Sequence, residues 1–252
     1  MDGDDARRAI AYLDETAAVA KQAKLASHAL LEITSGLHVL DVGCGNGDDV
    51  RAICELVGSS GSVVGIDSSA ALIAECIGRG VPPNAHFLRG SAEALPFEDG
   101  AFDRFRAERV IQHLAQPERA FSEARRVLRP GGRLLVADQD WGTLAVDGTS
   151  SRFRMALRAS FCASITNPHA GLEHARQLVR AGFRDVVVHP VVARLSYEQA
   201  YRFVLATALD VALRSGRLDA DEAELCNVEL RDAAARGEFL YTVTMYVALA
   251  LA

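Results

Sequence analysis

The sequence predicts an α/β fold in which helices pack on a parallel β-sheet. Short apolar runs typical of buried strands alternate along the chain with stretches whose apolar residues recur at helical spacing. The first run, His38 to Val42, leads into Gly43-Cys44-Gly45-Asn46-Gly47, and a helical pattern begins at Asp48. A strand, a glycine-rich turn and a helix in this order bring bare backbone close to a ligand, because glycine has no Cβ.

The charge at this turn restricts the ligand. The helix after the turn begins with two carboxylates, Asp48 and Asp49. A dinucleotide would place its pyrophosphate at that helix N-terminus, where the two aspartates would repel it. The turn therefore favours a nucleoside ligand that carries positive charge and lacks phosphate. An NAD(P)-dependent oxidoreductase stays open as an alternative only if the aspartates tolerate a pyrophosphate.

A second apolar run ends in another carboxylate, Asp67, which follows Gly47 by 20 residues. A carboxylate at the end of the second strand is placed to accept hydrogen bonds from both ribose hydroxyls of a nucleoside. The alternative is that Asp67 caps the helix predicted from Ser68 to Ile77, a common role for aspartate. The glycine turn upstream favours the ribose role.

Later elements are predicted from the same periodicities and from turn residues at their ends. They are a third strand from Ala85 to Leu88, a fourth strand from Phe102 to Ala107, a helix from Pro117 to Leu128, a fifth strand from Arg133 to Ala137, a helix from Asn167 to Ala181, a sixth strand within Gly182 to Val188, helices after Ser196 and from Asp219, and a final strand from Phe239 to Val247.

These motifs resemble those of the class I S-adenosylmethionine (SAM)-dependent methyltransferases. Val39 to Asp49 resembles the glycine-rich motif of that family, with GxGxG spacing in place of the GxGxxG of dinucleotide folds. Arg126 to Leu134 resembles the post-helix signature of small-molecule methyltransferases of the ubiquinone/menaquinone-biosynthesis type. The resemblance covers residues 36 to 140. It implies a Rossmann-like, seven-stranded, mostly parallel sheet with helices on both faces, N-terminal helices and a helical substrate cap.

The resemblance also implies a cofactor, S-adenosyl-L-methionine, and a set of residues that bind it. These residues are Asp41, Gly43, Gly45, Gly47, Asp67, Ser68, Ser91, Ala92, Glu93, Glu108 and Arg109. Ser91 stands where the family usually has an aspartate that bonds the adenine amino group, and its hydroxyl can accept that bond without the charge that strengthens it. Arg109 is expected to pair with the cofactor carboxylate, or alternatively to form a surface salt bridge.

His113 is the first candidate for a general base, because it follows the fourth strand on the expected substrate side. The alternative is a structural histidine bonded to nearby backbone, and His169 and His174 are weaker candidates for the base. Asp138, Asp140 and Glu108 could offer oxygen ligands to a metal. They lack the Asp-Asn pair of catechol-type methyltransferases, so no metal is predicted.

We expect three regions along the chain. Residues 1–35 form an N-terminal helical cover, residues 36–140 form the SAM-binding core, and residues 141–252 supply lid and cap segments together with the C-terminal part of the sheet. The only tryptophan, Trp141, lies in the expected lid, where core packing is the competing explanation for each aromatic residue.

Composition narrows the class of protein. The net charge is −6 and no lysine- or arginine-rich run occurs, which argues against a nucleic-acid substrate. The acidic start and the short apolar tail from Phe239 predict neither a signal peptide nor a membrane span, so a cytoplasmic protein is expected. The five cysteines never form a CxxC pair, which favours reduced, buried thiols. Acids near Cys44 should keep its pKa high, so no nucleophile is predicted there.

The function expected from these observations is methyl transfer from SAM to a small, largely apolar organic molecule, with oxygen favoured as acceptor and carbon next. An Ala- and Arg-rich, Lys-poor composition suggests a bacterial enzyme of secondary metabolism. The alternative is a SAM-binding protein of the same fold that transfers no methyl group and serves a cyclase or regulatory role. A homodimer is possible.

Overall fold

The computed structural model describes residues 27–252, and these contain a seven-stranded sheet. Its strands are β1 (His38–Val42), β2 (Ser62–Asp67), β3 (Ala85–Arg89), β4 (Phe102–Glu108), β5 (Leu128–Asp147), β6 (Arg184–Arg194) and β7 (Leu240–Leu251). The strand order is β3-β2-β1-β4-β5-β7-β6. The β2–β3, β1–β2, β1–β4 and β4–β5 pairs are parallel. The chain builds outward from β1 to β3 and then returns to β4, so the carboxyl ends of β1 and β4 flank the crevice where α/β sheets bind ligands.

Helices connect the strands, as the periodicity predicts. They are α1 (Asp48–Val57), α2 (Ala70–Gly78), α3 (Pro117–Val127), α4 (Ser151–Ala163), α5 (Ala170–Arg180), α6 (Tyr197–Ala200), α7 (Ala206–Arg214) and α8 (Ala220–Ala235). A 3₁₀ turn covers Ile111–His113, and a π-helical segment, Tyr201–Leu205, joins α6 to α7. The helix predicted from Asp219 begins with a capping box, since the Asp219 and Glu222 side chains each accept a hydrogen bond from the other residue's backbone N–H.

The fifth strand is longer than the sequence predicts. We expected it to begin at Arg133 because Pro130 and the two glycines after it favour a turn, but it starts at Leu128 directly after α3. The backbone N–H of Gly131 donates to the Ala252 carbonyl at 3.0 Å, and the Ala252 N–H donates to Gly132 at 2.9 Å. Pairing with the end of the chain therefore holds this segment extended, which local sequence does not reveal.

The described chain divides into two compact units. The first contains the described residues up to Ala137 together with Glu173–Val188 and Val247–Ala252, and the second contains Asp138–Leu172 and His189–Tyr246. The boundaries between the two units fall inside β5, β6 and β7. The helical cap expected over the substrate stays a prediction. The N-terminal cover expected for residues 1–35 lies mostly outside the described residues.

Each unit has its own apolar core. In the first, the residues of α1 that recur at helical spacing, Val50, Ile53 and Val57, are fully buried among β-strand side chains. In the second, the Trp141 and Phe161 rings pack edge to face with centroids 4.6 Å apart. Trp141 therefore packs in the core of the second unit, as the core-packing explanation predicts. Among residues 27–252, no helix is both long and apolar enough to cross a membrane.

Candidate functional site

A cavity of about 550 Å³ lies within the first unit, at the carboxyl ends of β1, β2 and β4. Its volume is in the range of small-molecule sites. Four segments line it: the glycine turn after β1, the end of β2, the loop after β3 and the segment after β4. These are the segments in which the sequence places the cofactor-binding residues.

The glycine turn is held in a conformation that other residues avoid. Gly43, Gly45 and Gly47 have φ values of 67°, 57° and 79°. A Cβ on Gly43 would lie 2.3 Å from the Val110 side chain, and one on Gly47 would lie 2.9 Å from the Phe87 ring. The glycines at these two positions are therefore required by the protein's own side chains, in addition to any approach of a ligand.

Asp67 ties two of the cavity walls together. One carboxylate oxygen accepts a hydrogen bond from the Gly45 N–H at 3.1 Å, and the other accepts from the Ser69 N–H at 2.8 Å. Burial raises the pKa of Asp67 above its usual value, and the two backbone bonds oppose that shift. The alternative role of Asp67 as the helix cap is wrong, because the Ser69 hydroxyl caps α2 by accepting from Leu72 N–H. Each Asp67 oxygen retains a lone pair for a ligand hydroxyl.

A buried arginine, Arg106, holds three carboxylates in place at the cavity. Its guanidinium lies 2.9 Å from an Asp41 oxygen, 2.5 Å from a Glu108 oxygen and 3.4 Å from an Asp49 oxygen. Asp41 and Arg106 are neighbours across the β1–β4 pair. Arg106, Asp49 and Glu108 line the cavity, whereas Asp41 does not. Arg109 adds a longer contact, 3.9 Å from a Glu108 oxygen, so the three carboxylates outnumber the two guanidinium groups when all are ionised.

Two polar atoms of this cluster have no hydrogen-bond partner among the described residues. The second oxygen of Asp41 and the Nε of Arg106 are buried and make no hydrogen bond. Burial raises the pKa of Asp41 to about 6, against the opposing attraction of Arg106, and the nearby Asp49 raises it further. His28 approaches Asp49 with 3.5 Å between Nε2 and the carboxylate. Surplus negative charge at low solvent exposure suits a cationic ligand and disfavours a phosphate.

The predicted site residues divide into two groups. Those that line the cavity are Gly43, Gly45, Asp67, Ser68, Ser91, Ala92, Glu108, Arg109 and His113. Asp41, Gly47 and Glu93 do not line it. The Ser91 hydroxyl accepts a bond from the Glu93 N–H at 3.1 Å, and the Glu93 carboxylate accepts from Gln116 N–H at 2.6 Å, so Glu93 connects the loop after β3 to the start of α3.

The segment after β4 places Arg109 and His113 on the cavity wall. Arg109 has a φ of 57°, a rare value for a residue with a side chain, and its N–H donates to Ala137 at 2.7 Å. His113 closes the 3₁₀ turn, with its N–H donating to the Val110 carbonyl at 2.9 Å. The tight turn brings Val110 and Leu114 to the same wall, which makes this part of the cavity apolar.

Sequence reasoning missed Arg106, the residue that organises the acidic wall. A signal was present, because Arg104 and Arg106 interrupt a strand that is otherwise predicted to be buried. A charge in such a strand needs a partner. The partner, Asp41, is identified only by the β1–β4 register.

The carboxylate of Asp140, which was considered as a metal ligand, contacts His169 and Gly142. One of its carboxylate oxygens lies 2.7 Å from Nδ1 of His169 and 2.9 Å from the Gly142 N–H. Across residues 27–252, no group of three or more metal-ligating side chains converges.

Known proteins resemble the chain in sequence. A family model described as a methyltransferase domain matches residues 33–193. An uncharacterized 37.1 kDa protein of a Streptomyces fradiae transposon is 35% identical over 249 residues, which cover 96% of this chain and 71% of that protein. A ubiquinone/menaquinone biosynthesis C-methyltransferase from Hahella chejuensis is 37% identical over 110 residues, which cover 42% of this chain and 44% of the relative. The match to this second relative therefore spans less than half of its length.

Solved structures share the fold. The YcgJ protein from Bacillus subtilis is 17% identical, with a TM-score of 0.63, and the match covers 92% of this chain and 98% of that one. The phosphoethanolamine N-methyltransferase 2 of Haemonchus contortus, solved in complex with SAM, is 18% identical with a TM-score of 0.59, and the match covers 91% and 52%. The expected Rossmann-like sheet is confirmed. The chain belongs to the methyltransferase domain family and is a SAM-dependent methyltransferase.

Proposed function

We propose that the enzyme methylates a small, largely apolar organic molecule, on oxygen in the first place and on carbon as the second candidate. The observation that carries this proposal is the composition of the cavity wall. One side is acidic through Asp49 and Glu108, and the segment after β4 contributes the apolar side chains of Val110 and Leu114 beside His113. A cationic donor and an apolar acceptor need these two kinds of surface.

The acidic side fits the methyl donor. SAM supplies a methyl group on a sulfonium centre and also carries an ammonium group. Asp49 and Glu108 would face these charges, and Asp67 would accept hydrogen bonds from the ribose hydroxyls. Ser91 and the Ala92 backbone would hold the adenine, and Arg109 would bond the carboxylate. The buried, unbonded oxygen of Asp41 and the surplus charge around Arg106 support this assignment.

His113 would hold the proton that an oxygen acceptor must lose. An alcohol or phenol becomes a competent nucleophile only as its proton leaves, and a positioned imidazole accepts it near neutral pH. An activated carbon acceptor also loses a proton, after the new bond forms. The sequence match to a C-methyltransferase supports carbon as the second candidate.

The acceptor test uses SAM with a deuterated methyl group and a panel of phenols, hydroquinones and aliphatic alcohols. We expect a product that gains one labelled methyl group, together with S-adenosylhomocysteine. Loss of an exchangeable hydroxyl proton in that product identifies oxygen as acceptor, and its retention identifies carbon. Tight SAM binding with no labelled product from any acceptor would contradict methyl transfer and favour a role in which SAM is bound but not used.

His113→Ala is expected to lower kcat with an oxygen acceptor by about 10²- to 10⁴-fold and to leave SAM affinity unchanged. The rising limb of the pH–rate profile should disappear with it. The matched control is His169→Ala, which removes the imidazole bonded to Asp140. An unchanged kcat in His113→Ala, or the full loss in His169→Ala instead, would rule out His113 as the base.

SAM affinity is expected to fall about three- to tenfold as the pH drops from about 7.5 to about 5. Asp41 has a pKa of about 6 in the fold, so it becomes neutral in this window and the cluster loses one negative charge. The stability of the unliganded protein should change in the opposite direction. Because the folded state binds the extra proton between about pH 4 and 6, this group stabilises the fold more as the pH falls.

Titration calorimetry across this range measures the affinity, and Asp41→Asn is the control. His28 also faces Asp49, with 3.5 Å between Nε2 and the carboxylate. Asp41→Asn leaves His28 in place, so the part of the pH dependence that disappears belongs to Asp41. A pH profile that is identical in the wild type and the variant would contradict the assignment.

A further inference from the structure

Glu108 is the carboxylate of the acidic wall with the most acceptor capacity left for a ligand. It ends β4 and lines the cavity, and its side chain is 10% exposed. One of its oxygens accepts a hydrogen bond from Arg106 at 2.5 Å. The other lies 3.9 Å from Nε of Arg109, which is too long for a hydrogen bond. Glu108 therefore keeps an oxygen that can face a ligand in the cavity.

The wall around Glu108 carries more negative than positive charge. Arg106 contacts Asp41, Asp49 and Glu108, and Arg109 is the second guanidinium at longer range. When all are ionised, three carboxylates against two guanidinium groups leave one surplus negative charge. Asp41 and Arg106 are almost fully buried, so solvent screens this surplus poorly. A ligand that brings one positive charge would balance it.

The strand order determines which part of a nucleoside ligand would meet this wall. Ser91 follows β3, Asp67 ends β2 and Glu108 ends β4, with the glycine turn of β1 between the last two. The four strands are neighbours in the order β3-β2-β1-β4, about 4.8 Å apart. With the adenine at Ser91 and the ribose at Asp67, as proposed above, the sulfur of SAM would come next along this edge, on the side of Glu108.

Methyl transfer changes the charge at that sulfur. SAM carries a sulfonium, whereas its product S-adenosylhomocysteine carries a neutral thioether, and the two molecules are otherwise the same apart from the methyl group. Two unit charges about 5 Å apart, at an effective dielectric constant of about 20, change a binding constant by more than tenfold. The surplus charge of the wall therefore acts on the methyl donor and not on the demethylated product.

We propose that Glu108 is a specificity-determining residue that makes the cavity bind SAM more tightly than S-adenosylhomocysteine, which favours release of the product. The inference rests on the cofactor site proposed above. Before transfer, the surplus negative charge faces a sulfonium. After transfer, it faces a neutral sulfur, and the carboxylates lose the cation that balanced them. S-adenosylhomocysteine is then a weak competitor of SAM.

Titration calorimetry on the whole chain tests this with three probes. They are SAM, S-adenosylhomocysteine and sinefungin, an analogue in which a protonated amine replaces the methylated sulfonium. We expect SAM to bind about tenfold more tightly than S-adenosylhomocysteine, and sinefungin to follow SAM because it carries the same charge. Raising the salt from about 0.05 M to about 0.5 M should weaken SAM more than S-adenosylhomocysteine, because salt screens the wall.

Glu108→Gln removes the charge and keeps an oxygen that can accept from Arg106. It should weaken SAM and sinefungin by about five- to tenfold and leave S-adenosylhomocysteine within about twofold of the wild type. Asp49→Asn, at the second carboxylate of the cavity wall, should act in the same direction. The matched control is Asp48→Asn, which removes the neighbouring charge in the same helical turn but outside the cavity lining, and should leave the ratio of the two affinities unchanged.

Circular dichroism establishes that each variant is folded. Three results would overturn the proposal: S-adenosylhomocysteine bound as tightly as SAM by the wild type, sinefungin bound as weakly as S-adenosylhomocysteine, or an equal loss of SAM and S-adenosylhomocysteine in Glu108→Gln. If Glu108→Gln does not fold, Asp49→Asn and the salt dependence of the wild type decide. A folded wild type that binds none of the three nucleosides would instead contradict the cofactor site.

Discussion

Arg106→Met is expected to destabilise the protein by about 3–5 kcal/mol, the usual effect of removing one partner from a buried ion pair. Arg106 is 2% exposed and faces three carboxylates, while His28 lies 3.5 Å from Asp49 and Arg109 lies 3.9 Å from Glu108. The substitution would leave Asp41 and Glu108 repelling each other at low exposure. Chemical denaturation monitored by circular dichroism measures the change.

The double variant Asp41→Asn with Arg106→Met separates charge from packing. It removes the most deeply buried carboxylate together with its partner, so we expect it to be more stable than Arg106→Met alone. Arg104→Met, in the same strand but bonded to the Leu31 and Glu32 carbonyls, is the control and should have a smaller effect. If both single variants lose the same stability, the three-carboxylate cluster has no special dependence on Arg106.

Asp67→Ala is expected to weaken SAM binding by about 1–3 kcal/mol, roughly five- to 150-fold, since ribose hydroxyls would lose their acceptor. The substitution also removes the acceptor for the N–H groups of Gly45 and Ser69. Asp67→Asn keeps an acceptor oxygen and should therefore lose less. Titration calorimetry with SAM measures both, and denaturation curves establish that each variant is folded.

Glu93→Gln is the matched control for that experiment. Glu93 was also predicted to bind the cofactor, but its carboxylate accepts from Gln116 N–H outside the cavity lining. We expect Glu93→Gln to leave SAM affinity within about twofold of the wild type, since the amide oxygen can still accept that bond. Equal losses in the Asp67 and Glu93 variants would show that the loop, and not the ribose contact, determines binding.

Much of the fold could be predicted because its signals are local. The buried run before Gly43, the helical spacing of α1 and the capping box at Asp219 each lie within a few residues of sequence. The fifth strand was predicted too short because its start depends on Ala252, more than a hundred residues away. Residues that follow strands, such as Asp67 and His113, could be placed in one cavity because parallel strands end at a common edge.

The sequence by itself determined the α/β fold, the glycine turn and its acidic helix start, since these depend on side-chain size, backbone freedom and charge at neighbouring positions. Only the tertiary structure decided which charges meet. Asp41 and Arg106 are 65 residues apart and become partners through the β1–β4 register. The Cys76 thiol reaches the Gly45 carbonyl because α2 packs beside the turn. Such contacts need both strand order and helix placement, and a linear pattern of residues specifies neither.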